Sequence, residues 1–210
     1  MSRAAGYGRV AAVGAIGLVY AVLAHRSNTG DSGRGGALLA LAPIAIAALI
    51  TGWRSERRLL GITLAIAVCI AALLALPLLQ GHASLIYWLE HALTQSLLCV
   101  AFARSLAPGR ESMCTMFARM VHGALAPAME RYTRQVTLAW SIFFGAMALV
   151  STVLFFSAPL GVWSAFANFF TAPLIALMFI VEYAVRRRLL PEFEHAGIIA
   201  GVQAFWKTPR

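Results

Sequence analysis

The run LIYWLEHALTQSLLCVAF, Leu85–Phe102, is apolar except for Tyr87, Glu90, His91, Thr94, Gln95 and Ser96. At helical spacing Tyr87, His91, Thr94 and Gln95 share one face, with Glu90 at its margin. A carboxylate and an imidazole within an apolar helix are costly unless they pair or face a cavity. Their chemistry would be proton handling or hydrogen bonding to a polar ligand. The competing reading puts Glu90 and His91 beside the lipid headgroups, since they stand only about a turn or two inside Leu85. A second set follows much later: Asn168, Pro173, Glu182, Arg186, Arg187 and Arg188, then Glu192, Glu194 and His195. Glu182 precedes Arg186 by four residues, the favourable order for a helical ion pair. This set is either an anchor at the edge of a membrane helix or a site for a phosphate or carboxylate headgroup. The candidate polar site is therefore Glu90, His91, Asn168, Glu182, Arg186, Arg187 and His195.

Several chemistries leave no trace. There is no GxSxG, HExxH or P-loop, no HxxxxD pair, and no clustering of acids in two helices. Asp31 is the single aspartate, so an aspartate-based metal site is not expected, and no cofactor is implied. Cys69, Cys99 and Cys114 form no CxxC, and Cys69 and Cys99 fall inside apolar runs as packing residues.

The elements that must position these residues are membrane helices. Of the 210 residues, 60% are hydrophobic and 12% charged, where a soluble domain carries about 25% charged. Mean hydropathy is +0.78. A core of this size cannot hide so much apolar surface from water, so lipid is the natural solvent. Six segments look able to span, the first two of them short for about 30 Å of hydrocarbon: 10–24, 37–53, 59–79, 85–102, 136–156 and 162–185. Pro77 near the end of the third is expected to kink it, and Pro173 lies inside the sixth. Nothing alternates with the period of a barrel strand, so the expected fold is all-α, a polytopic helical bundle forming a single integral membrane domain over 1–210.

Charge sets the orientation. With six spans, 15 of the 17 basic residues fall on one side, and only Arg26 and Arg34 on the other. The positive-inside rule then makes both termini cytoplasmic. A signal peptide ending near Ala24 competes for the first segment, but its many glycines and alanines suit helix packing. The net charge of +9 does not point to nucleic acid, because the arginines sit at the ends of apolar runs and no nucleic-acid-binding motif accompanies them.

The one long loop holds an amphipathic segment, 111–130. Met113, Met116, Phe117, Met120, Val121 and Ala124 make a helical apolar stripe, while Glu111, Thr115, Arg119 and His122 lie largely off it. The expected element is a helix over Glu111–Leu125 on the cytoplasmic membrane surface, with docking against its own spans as the alternative. Pro127 then opens a short helix leading into the fifth span. Arg119, Arg131, Arg134 and Arg188 are the expected lipid-headgroup contacts.

Three stretches carry a family resemblance. RYTRQVTLAW (Arg131–Trp140), APLGVWSAFAN (Ala158–Asn168) and FIVEYAVRRRLLPEFEH (Phe179–His195) fit the patterns RYTRxVTxxW, APLxxWSxFxN and FxxEYxxRRRxLPxxEH. In these the chain resembles a small bacterial family of integral membrane proteins encoded in gene clusters for aryl polyene or xanthomonadin-like pigments. The tight likeness covers roughly the last 80 residues; upstream it is one of hydropathy. Some members carry a ketosynthase label, which these residues do not support: that activity needs a soluble thiolase-like fold with one Cys and two His. The resemblance implies an accessory inner-membrane protein for the synthesis or membrane hand-over of a polyene-acyl lipid, with membrane lipids and an acidic acyl carrier protein as partners of the basic face. A small lipid transporter is the alternative, and a membrane acyl-transfer enzyme, with His91 or His195 as base, a third.

Overall fold

A computed structural model describes residues 3–30, 33–55, 58–79 and 82–190. All regular structure among them is helical: α1 Arg3–Thr29, α2 Gly33–Arg54, α3 Arg58–Leu79, α4 Ala83–Ser105, α5 Met113–His122, α6 Pro127–Ser157, α7 Leu160–Ala165, a π-helical turn Phe166–Phe170, and α8 Thr171–Leu189. Among the described residues, four stretches are long and apolar enough to cross a membrane: Gly35–Trp53, Ala83–Ser105, Pro127–Ser157 and Leu160–Leu189. They match the second, fourth, fifth and sixth expected spans. The first expected span lies in α1, which carries His25, Arg26 and Asn28 toward its end, and the third in α3, whose apolar stretch among the described residues is the shorter Gly61–Ala71.

The chain divides into two compact units. The first comprises Met1–His91 and Ser151–Thr171. In it α1 packs on α2, on α7 and on the π turn, and α3 packs on α2. Its core is Ala24, Ala40, Ala83, Tyr87 and Trp163: small residues let helices approach, and one large indole fills the space between them. Gly52 and Gly61 set the α2–α3 contact, because a Cβ on either would lie 2.5 Å from the other's carbonyl oxygen. The second unit comprises Ala92–Val150 and Ala172–Arg210. Met129, Tyr132, Trp140, Phe144 and Met147 are buried there, with Trp140 packed against Phe102, Phe143 and Phe179.

The π turn has a local cause. The Thr171 N–H bonds to the Phe166 carbonyl five residues back, and Pro173 follows just beyond. Proline lacks an N–H and its ring collides with the carbonyl four residues earlier; a wider turn upstream relieves both.

Gly123, with φ of +75°, ends α5 at His122, short of the expected Leu125. The short helix expected after Pro127 is continuous with the fifth span in α6.

Candidate functional site

In the first unit the hydroxyls of three apolar-looking helices converge on two imidazoles. His91 Nδ1 lies 2.9 Å from Ser151 Oγ and Nε2 lies 3.0 Å from Thr171 Oγ1. Trp163 Nε1 donates to the same Ser151 oxygen at 3.0 Å, and Thr171 Oγ1 donates to the Phe166 carbonyl at 3.3 Å. An indole N–H only donates and a carbonyl only accepts, so the neutral ring has one consistent arrangement. Thr171 accepts from His91 Nε2–H, and Ser151 donates to Nδ1. The chain runs unbroken from Trp163 through Ser151, His91 and Thr171 to the π-turn carbonyl. Ser151 and Trp163 are fully buried. A Ser–His pair suggests a nucleophile and its base, but this serine has no room for a substrate carbonyl and both imidazole nitrogens are engaged. The arrangement clamps the turn.

The second imidazole is His25. Its Nδ1 lies 3.0 Å from Ser164 Oγ, which also receives the amide N–H of Asn28 at 3.4 Å and of Asn168 at 3.2 Å. Asn168 donates to the Ser164 carbonyl as well, at 2.9 Å, so it ties its own helix rather than a neighbouring one. The His25 ring stands edge-on to Phe169, with centroids 5.2 Å apart. Beside it opens a cleft of about 650 Å³, lined by His25, Leu154, Gly161, Val162, Ala165, Phe166 and Phe170. Apart from one imidazole its lining side chains are hydrocarbon. A cleft of this size and polarity suits an apolar chain with a single polar end.

In the second unit Glu182 forms a compact group. Tyr132 donates its phenol hydrogen toward the Glu182 carbonyl (3.1 Å) and carboxylate (3.2 Å), and Arg186 Nε stands 3.4 Å from that carboxylate. The guanidinium carbons of Arg186 and Arg187 lie 5.7 and 5.9 Å from the centre of the Tyr183 ring. Arg119 is held between Glu111, at 3.1 Å, and Glu130, so two carboxylates compete with headgroups for its charge. Arg134 donates to the Leu106 carbonyl, while Arg131 and Arg188 are exposed.

Helix α5 docks by its polar side. Ser112, Thr115 and Thr133 join hydroxyl to hydroxyl at 2.6 and 2.7 Å, ending on the Met129 carbonyl, and Thr137 accepts the Cys114 N–H. Thr115 is buried, whereas Phe117 and Met120 are exposed. Burial pushes the Cys114 thiol up, and the Glu182 charge adds to this against a hydrogen bond from Thr137, so the thiol stays protonated and unreactive.

Of the residues expected from sequence, His91 and Asn168 fall in the first unit, in separate networks, and Glu182, Arg186 and Arg187 fall in the second. Glu90 is half-buried with Oε1 shielded from solvent and unpartnered among the described residues. His195 lies outside the described residues. His25, Ser151, Trp163, Ser164 and Thr171 were not anticipated. The signal for one of them, Ser164, was its place four residues before the expected Asn168 in a charge-free run. No group of three or more His, Cys, Asp or Glu side chains is gathered for a metal among the described residues. No known family, curated protein or solved structure matches this chain.

Proposed function

We propose that this is a non-catalytic membrane protein that takes an acyl chain into the cleft beside His25, as an accessory to the synthesis or membrane hand-over of a polyene-acyl lipid. The observation that carries this reading is the cleft itself: about 650 Å³ of apolar surface with one imidazole. The family reading rests on the three shared sequence patterns, in which Tyr132, Thr133, Thr137, Trp163, Ser164, Asn168 and Glu182 make side-chain hydrogen bonds. The same reading has six crossings, with α1 and α3 included, and both termini on the cytoplasmic side of the inner membrane, from the charge asymmetry. The exposed Arg104, Arg110, Arg131, Arg187 and Arg188 then suit anionic lipid or an acidic carrier protein.

Native mass spectrometry of the protein released from its own membrane tests the first claim. A co-purifying acyl lipid, lost in Gly161→Leu and Ala165→Leu, is the expected result; an empty protein, with unchanged lipid products in a deletion strain, defeats it. Reporter fusions at both termini test the topology. One observation favours a transporter instead: an intramembrane carboxylate, Glu90, with an oxygen unpartnered among the described residues. Proton-dependent lipid movement in vesicles, abolished by Glu90→Gln, would decide for that alternative.

A further inference from the structure

We infer that the ligand end facing His25 is the carbonyl of an uncharged acyl ester, received by the Nε2–H of the imidazole. This rests on the acyl-chain reading of the cleft and adds the chemistry of the polar end.

The argument is one of hydrogen-bond capacity. A serine oxygen accepts at two lone pairs and donates one hydrogen. Both lone pairs of Ser164 Oγ are taken by amide N–H groups, from Asn28 at 3.4 Å and Asn168 at 3.2 Å. Amide nitrogens donate only, and the Asn28 amide is oriented by its second donation, to the Ala24 carbonyl at 2.9 Å. The remaining contact of Ser164 Oγ, to His25 Nδ1 at 3.0 Å, therefore uses the hydroxyl hydrogen. A ring nitrogen that accepts carries no proton, so the proton of His25 is on Nε2. Nε2 has no hydrogen-bond partner among the described residues, and His25 lines the cleft.

The cleft thus offers one neutral N–H donor on a hydrocarbon wall. A plain alkane leaves that donor unpaired. An ammonium headgroup brings only donors to it. A phosphate needs cationic or multiple donors, and no arginine or lysine is among the lining residues. A single carbonyl on an apolar chain matches. Between ester and ionised acid, the lining decides: it holds no cation to meet a carboxylate, which leaves the neutral ester.

The test uses the full chain in nanodiscs of phosphatidylcholine and phosphatidylglycerol. A diazirine-tagged methyl palmitate is photolysed and the labelled residues are mapped by mass spectrometry. Unlabelled methyl palmitate, palmitic acid, hexadecanol and hexadecane then compete. Labels should fall on Leu154, Val162, Phe166 and Phe170, and methyl palmitate should compete about tenfold better than hexadecane, one hydrogen bond's worth. His25→Ala should abolish that preference while labelling persists, and His25→Gln, which restores a neutral N–H, should recover part of it. Equal competition by ester and hexadecane in the parent protein overturns the inference and leaves the acyl-chain reading standing. Better competition by palmitic acid than by the ester also overturns it. Absence of label from the cleft removes both. If His25→Ala fails to fold, the competition series in the parent protein still separates ester from acid and hydrocarbon.

Discussion

Ser151→Ala isolates the hydrogen-bond chain that clamps the π turn. The serine is fully buried and accepts the indole N–H of Trp163, itself fully buried, at 3.0 Å. Removing the oxygen leaves a buried donor with no acceptor, which costs about 1–3 kcal/mol. The bond to His91 Nδ1 is lost as well, but that ring is only partly buried and keeps its Thr171 contact, so its share is small. Interhelical hydrogen bonds in membranes average about 0.6 kcal/mol in coupling, which sets the lower expectation. Trp163→Phe supplies the comparison, because without the indole N–H there is no donor to orphan. Ser151→Ala should therefore cost about 1 kcal/mol less in the Trp163→Phe background than in the parent. Unfolding of the purified protein by SDS titration, followed by far-UV circular dichroism, measures all four proteins. A Ser151→Ala protein within about 0.3 kcal/mol of its parent in both backgrounds would falsify the role assigned to Ser151.

Gly52→Ala should destabilise by about 1–3 kcal/mol in the same titration, since its Cβ would meet the Gly61 backbone at 2.5 Å; Gly14→Ala, with nothing within 4 Å, should not. Phe117 and Met120 keep 40% and 43% of their surface exposed, so seating them in the bilayer interface is worth about 1 kcal/mol each. The double serine variant should raise the protease sensitivity of α5 in native membranes; unchanged sensitivity counts against membrane seating. Glu182→Gln removes an ion pair whose side chains are only 16–17% exposed, so its cost should reach about 1–3 kcal/mol rather than the few tenths of a surface pair. A melting temperature equal to the parent's would mean that the pair is solvated after all.

Helix type, and the apolar runs that make the four membrane-length helices, were legible because charge-free stretches of that length have few alternatives. The Glu182–Arg186 pair was legible because i, i+4 spacing fixes the geometry. Helix α5 was legible as a helix, but its docked side was not. Thr115 counts as polar in any periodicity, yet it is buried because Ser112 and Thr133 satisfy its hydroxyl. His25 was hidden for a different reason. It stands just where an apolar run gives way to Arg26, Ser27 and Asn28, so it read as a boundary. Ser151 and Ser164 are too small to disturb hydropathy, and their value lies in partners more than a hundred residues away or on another helix. The π turn has no periodic signature; Pro173 was its only hint.

That turn is also what gives the cleft its shape. In an α-helix, positions four apart drift by about 40° around the axis. A run of Val162, Phe166 and Phe170 would therefore wind away from any straight chain laid along it. A turn that holds an extra residue reverses the drift over its own length, and the π turn spans Phe166–Phe170. Val162, Phe166 and Phe170 consequently stay in line along one wall, with Gly161 and Ala165 beside them giving depth. A widened turn exposes backbone that must be satisfied or it will relax to an α-helix. Here Thr171 covers the Phe166 carbonyl from within the turn's end, His91 holds Thr171, and Asn168 binds back to Ser164. The two imidazole networks thus act on the same element from its two ends. His91, a candidate for proton chemistry by its place in the sequence, has both ring nitrogens engaged in this clamp. His25, with Nδ1 held by Ser164, is the imidazole of these networks that lines the cleft.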